Sequence, residues 1–383
     1  MKVLHLGCKH KSNDSRIWVR ECKALADAGY GVVFYTLEQH DTSSKEMDSI
    51  KNRATIKYHN LNVKGVELNR DILGSIIARG KNKQKIIKII ESEKVNIVHI
   101  HEFELIYILK AIRKKYPNIK VIYDIHENTS DVYYTAFQTI VGNSLGKVLA
   151  KWIDRYEVYY VRRMDGIVTV VPTMTEKFKR YNDNIVEVRN VPQDISIAGK
   201  KIEDRENIVC YSGGLTEIRG TTRLCAMAGQ IEGELILAGM IKKEYLEYLE
   251  GRFDLYHENI KFVGYLGRKE INQIYSQAVV GLCILPFSRN AYNSYPIKVF
   301  EYMAAGIPVI CSNFPLWRKI VEKNNCGIVV DPNNDDEVIS AINRLLNDRN
   351  LSKELGRNGR MAIEQEYNWE KEKIKLLNFY HNI

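Results

Sequence analysis

The segment NSYPIKVFEYMAAGIPVICS, Asn293 to Ser312, runs from a polar loop through a proline into a helical stretch, stops at a glycine and restarts as an apolar strand. The first N–H groups of such a helix have no partner within it. The aligned peptide dipoles behind them favour an anion by about 0.3–1 kcal/mol, more where water is excluded. Lys298 in the first turn is badly placed beside a positive dipole end unless an anion is bound, so the pattern suggests a diphosphate; a solvated lysine is the plain alternative. Glu301 lies one turn further, on the face set by its i, i+4 spacing from Ile297. A carboxylate there can accept two hydrogen bonds from the vicinal hydroxyls of a ribose. Its plain alternative is a salt-bridged glutamate.

Three more stretches carry suitable residue types. YSGGLTEIRGTTRL (211–224) reads as a strand, a glycine turn and a helix starting near Arg219 or Gly220. Gly213 and Gly214 let the backbone come close to phosphates, and Arg219 can grip two phosphate oxygens at once. KVIYDIHEN (120–128) sets His126 at a strand's carboxyl end with Asp124 on the same face, and NIVHIHEFEL ends a neighbouring strand at His101 and Glu102. In CKHKSNDSRIW (8–18), Asp14 or Ser15 is also a candidate helix N-cap. The chain has no G-x-S-x-G elbow, H-E-x-x-H, P-loop, G-x-G-x-x-G after a strand, or Asp-x-Asp for a metal-bound nucleotide.

These residues need a scaffold that delivers them to loop ends. Short β-branched runs alternate with helical stretches to about residue 345, the pattern of parallel sheets with crossover helices. Strands are expected at 2–6, 31–36, 96–101, 120–125 and 166–171, then at 207–212, 234–239, 259–264, 279–285, 307–312 and 326–331. The fold class is therefore α/β, with two doubly wound domains, 1–190 and 194–367, hinged near Asn190 to Gln193. Ligands of such sheets bind at the carboxyl ends of the strands, so a cleft shared by both domains is expected. The amphipathic stretch 368–383 is expected to pack back onto the first domain.

The motif from Asn293 to Val309 resembles the E-x7-E region of family 4 retaining glycosyltransferases, in the branch reading N-x-x-P-x-K-x-F-E-Y-M-A-x-G-x-P-V. The resemblance implies the GT-B fold, two Rossmann-like domains facing a central cleft. It implies a first domain that binds acceptor and a second that binds a nucleotide-sugar donor, a UDP-sugar by expectation. Glu301 would hold the donor ribose, and Asn293, standing where many members carry glutamate, would meet the transferred sugar. Ser294, Tyr295, Pro296 and Lys298 belong to the same donor-binding segment. Gly213, Gly214 and Arg219 resemble the phosphate-binding turn, although Gly214 stands where many members place an arginine, so one cation is missing. Gly264 to Leu266 resemble the turn that reads the base, with Tyr265 stacking on it. His126 matches the histidine that contacts donor sugar near the leaving phosphate. The first loop resembles the branch reading D-x-R-I, which points Asn13, Asp14 and Arg16 at the acceptor. Retention without a metal or other cofactor is implied, the diphosphate being neutralised by Arg219, Lys298 and helix N-termini.

Composition narrows the setting. Of the net charge of +9, residues 1–192 carry 32 basic against 22 acidic side chains, and the rest of the chain is nearly balanced. No zinc finger or aromatic ribonucleoprotein motif accompanies that charge, which argues against nucleic acid. A basic amphipathic stretch at 145–164, with Lys147, Lys151, Arg155, Arg162 and Arg163 among Leu149, Trp152, Ile153 and Tyr159, fits an anionic membrane surface or an ordinary packing helix. Without an 18-residue apolar run or a secretory signal, the expected location is cytoplasmic and peripheral at the inner face of the membrane. Seven cysteines without a Cys-x-x-Cys pair read as small buried residues. With the family's lean toward capsule and O-antigen assembly, the expected acceptor is a glycan, polyprenyl-diphosphate-linked or free. Two other readings share the fold: a nucleotide-sugar epimerase, and a non-catalytic nucleotide-sugar-binding partner suggested by Asn293 and Gly214.

Overall fold

The computed structural model describes residues 1–7, 10, 14–37, 54–59, 72–192, 201–253, 255 and 259–383. Asn13 of the expected acceptor loop, Gln193 of the expected hinge and Cys8 lie outside the described residues. The chain divides into two compact units: Met1–Asn190 with Glu370–Ile383, and Val191–Trp369.

The first unit is a parallel sheet of seven strands: β1 (Lys2–Leu6), β2 (Gly31–Leu37), β3 (Ala54–His59), β4 (Ile97–Ile100), β5 (Lys120–Ile125), β6 (Gly166–Thr169) and β7 (Ile185–Glu187), in the order β3-β2-β1-β4-β5-β6-β7. The central strands β1, β4 and β5 are buried almost throughout, which is why they read as near-continuous apolar runs. The second unit holds β8 (Ile208–Ser212), β9 (Glu234–Ala238), β10 (Ile260–Gly264), β11 (Val280–Cys283), β12 (Val309–Ser312) and β13 (Gly327–Val330), ordered β10-β9-β8-β11-β12-β13 and all parallel. Alternate residues serve opposite layers. Val209 and Tyr211 pack with Leu235 and Leu345 on one face, while Ile208 and Cys210 pack with Phe300 and Tyr302 on the other.

Both sheets have the doubly wound, Rossmann-like order. Each winds outward from its first strand and then reverses, so the loops after β1 and β4, and after β8 and β11, diverge. Asp14, Arg16, Gly213, Gly214 and Arg219 follow the first strands of these reversals, while His126 follows β5 and Tyr265 follows β10. The strands β3 and β7 are additions to the sequence reading. They are the two edge strands, one carrying Lys57 and His59 and the other three residues long and half-buried, so neither presents an apolar run.

The helix Trp369–His381 belongs to the first unit. Phe379 and Ile383 lie 2.5 and 2.7 Å from where a Cβ on Gly166 would stand, so any side chain there would have to displace them. Glu372 accepts from Arg189 N and Nε at 2.8 Å each, and Tyr380 Oη lies 2.6 Å from His99 Nδ1. The six described cysteines are free and buried. No described helix is long and apolar enough to cross a membrane.

Candidate functional site

In the first unit the site is organised by Asp124, fully buried near the end of β5. Arg16, only 4% exposed, reaches it across 108 positions: Nη2 donates to Oδ1 at 3.2 Å and Nε to Oδ2 at 3.3 Å. Its Nη1 donates to the Val188 carbonyl at 2.8 Å, and Nε also lies 3.1 Å from Glu21 Oε1. His126 Nε2 lies 3.1 Å from Asp124 Oδ2 and 3.3 Å from His101 Nδ1. Burial alone would raise the pKa of Asp124, but Arg16, His126 and His101 hold it well below the usual carboxylate range. A permanent anion thus stands behind the His126 imidazole and fixes its orientation, the arrangement by which a carboxylate positions a working histidine.

His10 closes the other side of this ring, with centroids 4.9 Å apart. Its pKa is raised: burial opposes the cation, yet the Asp14 hydrogen bond and the charges of Glu102, Asp14 and Asp124 prevail. Asp14 caps the turn Ile17–Cys22, its Oδ1 accepting from Ile17 N at 2.8 Å and Arg16 N at 2.9 Å, while Oδ2 lies 3.0 Å from His10 Nδ1. That turn is π-helical, a form that recurs at functional sites.

In the second unit the helix Ile297–Ala304 starts after Pro296 and ends at Gly306, whose φ of 65° suits the left-handed stop that glycine supplies. Glu301 is 8% exposed and already occupied. Its Oε1 accepts from Arg268 Nη1 at 2.7 Å, and Oε2 from Lys298 Nζ at 2.8 Å and Tyr275 Oη at 3.0 Å. Burial would raise its pKa, but Lys298 and Arg268 hold it below the usual value. Both cations are partly exposed, at 37% and 46% of their side chains. Tyr275 is itself tied to Ser212 at the end of β8.

The glycine turn lies at that same strand end. Gly213 N donates to the Ala238 carbonyl at 2.8 Å, and a Cβ on Gly239 would collide with the Gly213 carbonyl at 1.6 Å, so two backbones meet where no side chain fits. Gly220, with φ 79°, turns the chain into the helix Thr221–Met227. Arg219 Nε lies 3.6 Å from the place of a Gly214 Cβ, so the arginine folds back over the turn. Asn293 donates to the Arg289 carbonyl at 3.1 Å, Ser294 O accepts from Trp317 Nε1 at 2.8 Å, and the Tyr295 ring packs on Phe300. Tyr265 is 76% exposed.

The structure thus gathers Asp14, Arg16 and His126 in the first unit. In the second it joins Lys298 to Glu301, and places Arg219 beside Gly214. Arg16 is interior and committed to Asp124 and Glu21. Sequence reasoning missed His10, Glu21, Arg268 and Tyr275. Two described groups have donor atoms spaced as a metal ion would accept: His101, Asp124 and His126, and His5, Glu21, His99 and His101.

Two family models match, "Glycosyltransferase Family 4" over residues 15–190 and "Glycosyl transferases group 1" over residues 192–362. An uncharacterized glycosyltransferase of Methanocaldococcus jannaschii is 26% identical over 184 residues, 47% of this chain and 46% of that protein. A GDP-mannose-dependent alpha-(1-6)-phosphatidylinositol monomannoside mannosyltransferase of Mycobacterium tuberculosis is 26% identical over 186 residues, 47% of this chain and 48% of that protein. The chain thus spans about half the length of these curated relatives. Among solved structures, sucrose-phosphate synthase from Thermosynechococcus elongatus superposes with a TM-score of 0.76 at 18% identity, covering 100% of this chain and 98% of that one. HepE of Anabaena, in complex with UDP and glucose, superposes at 0.70 with 14% identity over both whole chains. With one model on each side of residue 191 and the doubly wound order in both units, the chain belongs to the family 4 glycosyltransferases of GT-B fold.

Proposed function

We propose that this chain moves a sugar from a nucleotide diphosphate, a UDP-sugar, to an acceptor glycan carried on polyprenyl diphosphate, with retention at the anomeric carbon and no metal at the diphosphate. The reading assigns the donor to residues 194–367 and the acceptor to residues 1–190. One observation carries it: Lys298 and Arg268 converge on Glu301 at the first turns of the helix that follows Pro296. Two partly exposed cations beside helix N–H groups suit a diphosphate, and a carboxylate held ionised suits a ribose diol. Arg219, Gly213 and Gly214 add the turn over which phosphates would lie, Ser294, Tyr295 and Pro296 its rim, and Tyr265 a face for the base. Asn293 reads the transferred sugar. His126, oriented by Asp124, contacts it near the leaving phosphate, whose oxygen takes the acceptor proton.

In this scheme Asp14 lines the acceptor side, and Arg16 acts from beneath by fixing Asp124. The lipid-linked acceptor is supported by the long helix Thr129–Val161, broken at Gly142 (φ 76°), which exposes Ile140, Leu145, Val148 and Trp152 among Lys147, Lys151 and Arg155. Such a face suits an anionic membrane surface.

UDP is preferred because HepE holds UDP, while the mycobacterial relative is GDP-mannose-dependent. Melting the chain against UDP-, GDP- and dTDP-sugars decides among bases, since a ligand of the folded state raises the midpoint. Glu301→Ala should raise the donor Kd about ten- to a hundredfold. An unchanged Kd rejects the donor site; donor binding without turnover on any acceptor, lipid-linked ones included, favours a non-catalytic partner.

A further inference from the structure

Beneath Asp124, in the interior of the first unit, lies a second set of polar groups that the transfer does not use. His5 of β1 and His99 of β4 are direct cross-strand partners and so present their rings on one face of the sheet. The π-helical turn Ile17–Cys22 brings Glu21 over that face. All three are fully buried; His5 Nε2 and His99 Nε2 have no hydrogen-bond partner, and Glu21 Oε1 is ion-paired with Arg16 Nε at 3.1 Å. One ligand atom from each of these residues and from His101 lies within 4.8 Å of all the others.

Unpartnered buried nitrogens are costly, and in side chains that lie this close together a cation would satisfy them. We propose that His5, His99 and Glu21 bind one divalent transition ion of the zinc, cobalt or nickel type.

The surroundings support this in three ways. A metal-bound imidazole is ordinarily held through its other ring nitrogen. Here His5 Nδ1 lies 2.9 Å from His101 Nε2, and His99 Nδ1 lies 2.6 Å from Tyr380 Oη, so in both rings the nitrogen left over is Nε2. Burial also holds His5 and His99 well below the usual imidazole pKa, hence neutral, the form that ligates. A cation would also displace a proton here: burial pushes the Glu21 carboxyl well above the usual carboxylate range, against the pull of Arg16, and a ligating carboxyl gives up that proton on binding.

Two imidazoles and a carboxylate suit borderline ions, with bonds of about 2.0–2.2 Å. Drawing the outermost donors onto such an ion needs a movement of roughly 1–1.5 Å, within reach of side-chain torsions. Arg16 Nε, 3.1 Å from Glu21 Oε1, leaves Oε2 as the ligating oxygen. The bound ion would tie β1, β4, the π-helical turn and, through Tyr380, the helix Trp369–His381 into one unit under Asp124. The proposal is independent of the donor and acceptor chemistry.

The test is metal content. The full chain, without a polyhistidine tag, is produced in zinc- or cobalt-supplemented medium, passed through a sizing column in EDTA and analysed by elemental mass spectrometry. The expected result is one ion per chain, with visible d–d bands for the cobalt form, and a fall of at least fivefold in Glu21→Gln and in His99→Gln, each checked for native circular dichroism. Fewer than one ion in ten chains overturns the proposal and leaves the orphaned atoms to buried water. Metal retained at full level in the folded variants overturns it too, because the ion then sits elsewhere. Should His99→Gln fail to fold, Glu21→Gln and the wild-type cobalt spectrum decide between the same two outcomes.

Discussion

The two clusters of charge differ in how they are built. In the first unit the pairs are long-range and dry: Arg16 meets Asp124 over 108 positions and His5 meets His101 over 96, all at a few per cent exposure or less. In the second, Lys298 and Glu301 are three positions apart on one helix, Arg268 is 33 away, and both cations are partly open to water. A buried pair is hard to rearrange, because separating it strands a charge in low dielectric. A half-exposed pair exchanges partners cheaply, since water covers the difference. The first cluster is suited to holding an imidazole still, the second to letting go of one anion and taking another.

The sharpest way to break this contrast is stability. Asp124→Ala should cost about 3–5 kcal/mol by stripping the buried Arg16 of the carboxylate that takes its Nε and Nη2, with Glu21 and the Val188 carbonyl left to it. Glu301→Ala should cost about 1 kcal/mol or less through its lost ion pairs, because Lys298 and Arg268 can turn to solvent. Denaturant midpoints measure both, and equal losses would erase the distinction. Next in size, His126→Ala should lower kcat about 10²–10³-fold with little change in donor Kd, whereas Glu301→Ala should do the reverse. A substrate cycle refines the second arm: a 2′-deoxy donor should bind about tenfold more weakly to wild type and no more weakly than the normal donor to Glu301→Ala.

The smallest effect is pH linkage at Glu301. Its folded pKa is lowered, so its ion pairs contribute stability that is fully present above the ordinary glutamate value and is lost as pH falls through the folded one. Urea midpoints measured below about pH 4.5 should therefore fall more steeply for wild type than for Glu301→Gln. Matching slopes would show that Glu301 adds nothing to folding.

The same contrast explains what could be read without a structure. The central strands announce themselves as apolar runs because both their faces are covered, and Lys298 and Glu301 are marked by helical spacing. Arg268 bears the mark that singles out Lys298, a cation in the first turn of a helix, here one residue after Gly267. It is overshadowed by Tyr265 in the same stretch. Arg16 reads as a loop side chain bound outward, and only the folded chain reveals Asp124 as its partner, since no periodicity links positions so far apart. His10 and Glu21 are hidden for the same reason. The edge strand β7 escapes notice because a short, half-buried strand carries no continuous apolar signal, and β3 because its sequence ATIKYH is interrupted by lysine.

The return of the helix Trp369–His381 onto the first unit has a consequence for how the protein is made. A chain emerging from the ribosome can complete the second unit first, although that unit comes later in the sequence, because all of Val191–Trp369 is out before residue 370. Until Tyr380 arrives, His99 lacks the hydroxyl beside it, the hollow at Gly166 stays unfilled and Arg189 waits for Glu372. The segment Glu370–Ile383 thus acts as a late latch on strands that were made long before it.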